Sequence, residues 1–186
     1  MRSIVLAFTL ALPVLAQAPA APKPAEVSAM AKAFEEAATY IEREAVPAAE
    51  AMPEDKFSYA PTAGEFKGVR TFAQQVKHIA VVNYMVGSAI LGEKSPVEAG
   101  TGEDGPATLK TKADAVRFLK DSFAYAHKAI LTLNEQNALT PIKAPWGGDT
   151  TRLRMASIVE SHGFDHYGQM VVYLRLNGII PPASRK

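Results

Sequence analysis

An all-α fold, a four-helix bundle, is what this sequence predicts, on three observations. Four stretches carry apolar residues at alternating three- and four-residue spacing, the period of a helix with one buried face. Good helix formers such as Ala, Leu, Glu and Lys are frequent and β-branched runs are few. Clusters of Pro and Gly separate the four stretches, and no segment shows the alternation of a strand. The 186 residues, 48% apolar and 21% charged, have ordinary globular composition and suffice for one core.

A short leader precedes the bundle. Arg2 supplies a positive start, residues 4–15 an apolar core, and Ala16, Ala18, Ala20 and Ala21 the small residues that follow. This reads as a signal peptide over residues 1–16, with cleavage as late as residue 20 an alternative. The apolar core is too short to span a bilayer, although an N-terminal anchor is the competing reading. Residues 17–25 form an Ala/Pro-rich linker. The expected location is therefore periplasmic or secreted, with no membrane span in the mature chain. The chain has no cysteine, which removes disulfides and thiolate ligands. Of 20 basic residues, 19 remain without Arg2, against 19 acidic ones. Such a balance lacks the clustered positive charge of a nucleic-acid footprint.

The bundle is expected over residues 26–182. Its first helix starts near Pro24 or Glu26, with Val27, Met30, Phe34, Ala37 and Ile41 as the apolar stripe and Pro47 and Pro53 bracketing its end. A loop over 53–70 carries Phe57, Tyr59 and Phe66. The second helix spans about 71–91, with Thr71 as N-cap and Phe72, Val76, Ile79, Asn83, Val86 and Ile90 facing inward. A long Gly- and Pro-containing connection over 92–110 is a candidate lid. The third helix starts near Thr111, with Asp114 completing a capping box and Val116, Leu119, Phe123, Ala126, Ile130 and Leu133 as its seam. A connector over 140–149 holds Trp146, Gly147 and Gly148, which could wall a pocket. The fourth helix runs from Thr150 or Thr151 to Asn177, where Asn177-Gly178 and then Pro181-Pro182 stop it.

The chemistry concentrates on the fourth helix. Its inward seam reads Met155, Val159, His162, His166, Gln169 and Tyr173. His162 and His166 are four apart, so both imidazoles can reach one point, the spacing by which helices present paired metal ligands. The bland alternative is a pair of hydrogen-bonded core histidines. A third ligand would come from His78, beside the Val76–Ile79 line of the second helix, or from His127 on the third. Spacing does not choose between them. Glu160, Asp165, Gln169 and Tyr173 are nearby candidates to orient the rings. Gly168, in mid-helix, costs about 1 kcal/mol relative to Ala and reads as a point of close helix approach.

Three segments carry a family resemblance: Phe72-Ala73-Gln74-Gln75-Val76-Lys77-His78-Ile79-Ala80, His162-Gly163-Phe164-Asp165-His166-Tyr167-Gly168-Gln169, and Tyr173-Leu174-Arg175 running into Asn177-Gly178-Ile179-Ile180-Pro181-Pro182. In order and spacing they resemble the DinB/YfiT-like superfamily of helical metal-binding proteins, from about the first helix to Pro182. The resemblance implies a four-helix bundle that holds a divalent ion through His78, His162 and His166, leaves His127 without a counterpart, and often pairs into homodimers. Related sequences often read His-x-x-His-His-Arg-Gly-Gln at the last motif; here Asp165 and Tyr167 replace the second His and the Arg, which puts any activity tied to that Arg in doubt.

Three neutral imidazoles leave coordination positions for water or a small-molecule substrate. Imidazole suits zinc, nickel, iron and copper, and the expected cofactor is a divalent ion such as zinc, nickel or iron. The resemblance implies a metal-dependent hydrolase or thiol S-transferase. The alternative is a non-catalytic metal-binding or stress-related exported protein. An open cavity lined by Trp146, Tyr59 or Tyr84 beside the histidines would favour the enzyme.

Overall fold

The computed structural model describes residues 26–186. The signal peptide and linker read over 1–25 lie outside the described residues. Four helices make up the fold: α1 (Ala29–Ala51), α2 (Phe72–Leu91), α3 (Lys112–Ile130) and α4 (Arg152–Leu176). α2 packs against α3 and α4, and α1 packs against the same two, so α1 and α2 occupy opposite corners. No described helix is long and apolar enough to cross a membrane.

Helix starts follow their caps. The Thr71 and Thr111 hydroxyls accept from the backbone N–H of Gln74 and Asp114, whose side chains accept in return from the Thr backbone N–H groups. Thr151 caps α4 in the same way through the Arg154 N–H. Each of these bonds satisfies a donor that the first turn leaves orphaned. The first backbone N–H groups of α2 are also taken, by the Tyr59 and Phe57 carbonyls at 2.8 Å each. The loop before α2 is thereby fastened to the helix that carries His78.

Every expected inward residue of α2 and α3, including Leu133 just beyond α3, is buried. α1 departs from expectation. It begins at Ala29 behind the N-cap Ser28, and it runs through Pro47 to Ala51. Pro47 removes one intrahelical hydrogen bond, but Ala45, Val46, Ala48 and Ala49 around it are buried, and that packing carries the helix on. The buried stripe is Ala31, Ala38, Ile41, Ala45 and Ala48, so Met30 and Ala37 sit at its margin.

The connector before α4 is also more regular than expected. It forms a two-stranded antiparallel hairpin, β1 (Pro141–Lys143) and β2 (Asp149–Thr151), pairing Pro141 with Thr151 and Lys143 with Asp149. Three-residue strands are too short to show a period. Gly147 and Gly148 turn the hairpin at φ +95° and +86°, a conformation that favours glycine. Gly168 does not mark a close approach: a Cβ there would meet nothing within 4 Å. The close approach is at Gly163, where a Cβ would sit 2.6 Å from Ile41 Cγ1 of α1.

Candidate metal centre

α2 and α4 bring His78, His162 and His166 together, and each offers a ring nitrogen within 4.8 Å of the others. His162 Nε2 lies 3.1 Å from His78 Nε2 and 3.0 Å from His166 Nε2. His78 and His166 are almost fully buried, at 5% and 6% exposure. The one-turn spacing on α4 places two of the rings, and the α2–α4 contact supplies the third.

The outer nitrogens set the tautomers. His78 Nδ1 lies 3.2 Å from the Glu103 carbonyl, which can only accept, so this nitrogen carries the proton. His166 Nδ1 lies 2.5 Å from Gln75 Oε1, and the Gln75 amide nitrogen donates to Gln169 Oε1 at 2.8 Å. His166 is therefore also protonated on Nδ1. Both Nε2 lone pairs then point at His162 Nε2, which has one proton at most to offer. Neutral rings alone leave this cluster short of a positive partner, which a divalent cation would supply. Nitrogen separations of 3.0–3.1 Å also lie between the values of about 2.9 and 3.3 Å that bond lengths near 2.05 Å give for right-angle and tetrahedral coordination. The donor set thus fits a first-row divalent ion.

Electrostatics keep the rings neutral, as ligands must be. Burial, with the neighbouring imidazoles His166 and His78, pushes His162 down to about 3. Burial, His78 and the Arg70 guanidinium lower His166 to about 4. Burial and Arg70 hold His78 below its usual value.

Among the candidate orienting residues, Gln169 acts through Gln75, and the Tyr173 hydroxyl donates to the Arg70 carbonyl at 2.9 Å. Asp165 is 69% exposed, with its carboxylate 4.0 Å from His166 Nε2. No hydrogen bond joins Glu160 to the three rings among the described residues. Two orienting residues escaped the sequence reading. Gln75 had a signal, being a polar residue three before His78 and so on the same face of the helix. Glu103 had none, since it arrives from the 92–110 connection. Its φ of +59° makes it the one non-glycine in the left-handed region among the described residues. Its turn is braced on both sides: Arg70 Nη2 donates to the Gly102 carbonyl at 2.9 Å, and Gln74 Nε2 donates to Asp104 Oδ2 at 2.7 Å. The Glu103 carboxylate itself lies 3.7 Å from His78 Nδ1.

His127 is elsewhere. On α3 it faces α1, with Nδ1 2.8 Å from Glu35 Oε2 and Nε2 2.9 Å from Glu42 Oε2. Both ring nitrogens are taken by carboxylates.

Two openings flank the cluster. A cleft of about 480 Å³ is lined by His78 and His162, with Val82, Glu103, Trp146 and Ile158 on its walls. Another, of about 560 Å³, reaches His166 past Arg70, Gln75 and Asp165. Tyr59 and Tyr84 line neither, while Trp146 stands where a pocket wall was expected.

The fold and the site define a class, that of four-helix bundles with a three-imidazole cluster between two helices. The chain belongs to the DinB superfamily, whose family model matches residues 22–170. It is similar in structure to a DinB-like protein from Bacillus subtilis, at 18% identity and a TM-score of 0.62, covering 83% of this chain and 99% of that one. A DinB-like protein from Bacillus cereus matches equally well, at 18% identity and 0.62, over 81% and 95% of the two chains. No curated protein is similar enough in sequence to match.

Proposed function

We propose that this is an exported metal-dependent enzyme that binds one divalent ion through His78, His162 and His166 and acts hydrolytically on a small molecule. The convergence of three Nε2 atoms, two with tautomers fixed lone-pair-inward, carries the reading. A bound ion would supply Lewis acidity to a protic ligand beside it. The protein's own part is preorganisation. The Glu103 carbonyl and Gln75 amide hold two rings in place, and the α2–α4 interface buries His78 and His166. The Glu103 carboxylate lines the same cleft as His78 and His162 and is the acceptor offered there to a released proton.

The open cleft beside the rings favours an enzyme over a sealed structural site. Export favours water over a thiol as nucleophile, because low-molecular-weight thiols are kept mainly in the cytosol. Metal analysis of protein from metal-replete cells should find about one divalent ion per chain. Ester, amide and S-transfer substrates are then screened with and without chelator. Chelator-sensitive hydrolysis supports the proposal. A loaded protein inert towards all three classes would assign it to metal binding alone, and S-transfer without hydrolysis would replace the nucleophile.

A further inference from the structure

The cleft over His78 and His162 has a chemical polarity that the metal reading does not use. One end is the imidazole pair with the Glu103 carboxylate. Val82 of α2 and Ile158 of α4 supply an apolar stretch of wall, with Ser161 beside them. Trp146 and Arg154 line the same cleft, with Arg154 about two turns before His162 on α4. Trp146 sits at the tip of the β1–β2 hairpin, 55% exposed, although an indole of that size is costly to leave in water. Its mount is fixed by the Gly147 N–H to Ala144 carbonyl bond at 2.9 Å and the Ala144 N–H to Gly148 carbonyl bond at 3.1 Å. Arg154 donates to Ser157 Oγ at 3.0 Å, and no described carboxylate pairs with it. A guanidinium beside an exposed indole and an apolar trough is a recognition surface for an anion with a hydrophobic body.

Spacing sets the size of that anion. Arg154 and His162 are about 12 Å apart along the axis of α4, and the Arg154 guanidinium reaches forward to Ser157 Oγ, towards His162. A ligand touching both ends therefore spans roughly 7 to 10 Å. We infer that the cleft is the binding site for an amphipathic organic carboxylate, with its carboxylate on Arg154, its apolar body between Trp146, Val82 and Ile158, and its reacting end at the imidazoles. In the metal-free protein the opposite charges of Arg154 and Glu103 fix that direction, because Glu103 repels a carboxylate from the histidine end. As a substrate site the cleft rests on the metal reading above.

Trp146 is the single tryptophan of the chain, so its fluorescence reports on the cleft directly. The probes are 4-phenylbutyrate and its uncharged amide, titrated into the full chain with and without zinc. The carboxylate should shift the Trp146 emission saturably, with the amide binding about tenfold more weakly. The preference should hold without zinc, which separates Arg154 from direct coordination. Arg154→Gln, an exposed change, should abolish the preference while leaving amide binding and zinc content unchanged. Equal binding of the two probes, or a preference that survives Arg154→Gln, would overturn the inference. Zinc uptake without a carboxylate preference sinks this inference alone. A carboxylate preference in protein that takes up no zinc overturns the metal reading, and with it the cleft's role as substrate site.

Discussion

Two helix interfaces of this bundle bury histidine, and they treat it in opposite ways. Between α2 and α4 the outer nitrogens meet neutral acceptors, the Glu103 carbonyl and the Gln75 amide. Within hydrogen-bond distance the inner nitrogens have only one another, and burial drives the rings towards the neutral form. Between α1 and α3, burial also opposes charge on His127, but hydrogen bonds to the Glu42 and Glu35 carboxylates outweigh it and raise the ring above its usual value. One interface makes lone pairs and the other makes a cation. The partners decide which, because a carboxylate at a ring nitrogen stabilises the imidazolium, while a carbonyl or amide oxygen only selects a tautomer.

The largest way to break this contrast is at Gln75. Gln75→Leu leaves the His166 Nδ1 donor without its acceptor, and metal affinity should fall about 10- to 100-fold. Calorimetric titration with zinc checks this, and an unchanged affinity would mean that the amide does not hold the ring.

The next is at the other interface. Because the folded pKa of His127 is raised, its contribution is fully present below the unfolded value of 6.5 and is lost as pH rises through the folded value. Denaturant melts across that window should show the loss, on the order of 1 kcal/mol. Glu35→Gln with Glu42→Gln should flatten the dependence and leave zinc binding intact. The smallest effect is at Gly168, exposed and clear of neighbours, where Gly168→Ala should stabilise α4 by up to about 1 kcal/mol with no change at the site. A thermal melt that falls instead would show that Gly168 serves some packing role.

Much of the bundle is legible in the sequence because its signals are local. Thr71, Thr111 and Thr151 cap the helices they precede, and the α2 and α3 stripes are buried residue for residue. α1 is harder, since so many of its positions are Ala that an apolar stripe can be drawn one residue off the buried one. The His162–His166 pair is legible for the same local reason as the caps. Choosing His78 over His127 is not, because it depends on which helices touch: α2 meets α4, whereas His127 turns to the carboxylates of α1. Glu103 reaches His78 from a loop through a backbone carbonyl and a left-handed turn, neither of which leaves a mark in residue type.

The most direct test of the central claim is a zinc titration of the protein and its four single His→Ala variants. The wild type and His127→Ala should each bind one equivalent. His78→Ala, His162→Ala and His166→Ala should each lose stoichiometric binding while remaining folded. A wild type that takes up no divalent ion, or a His162→Ala variant that binds as the wild type does, would contradict the account.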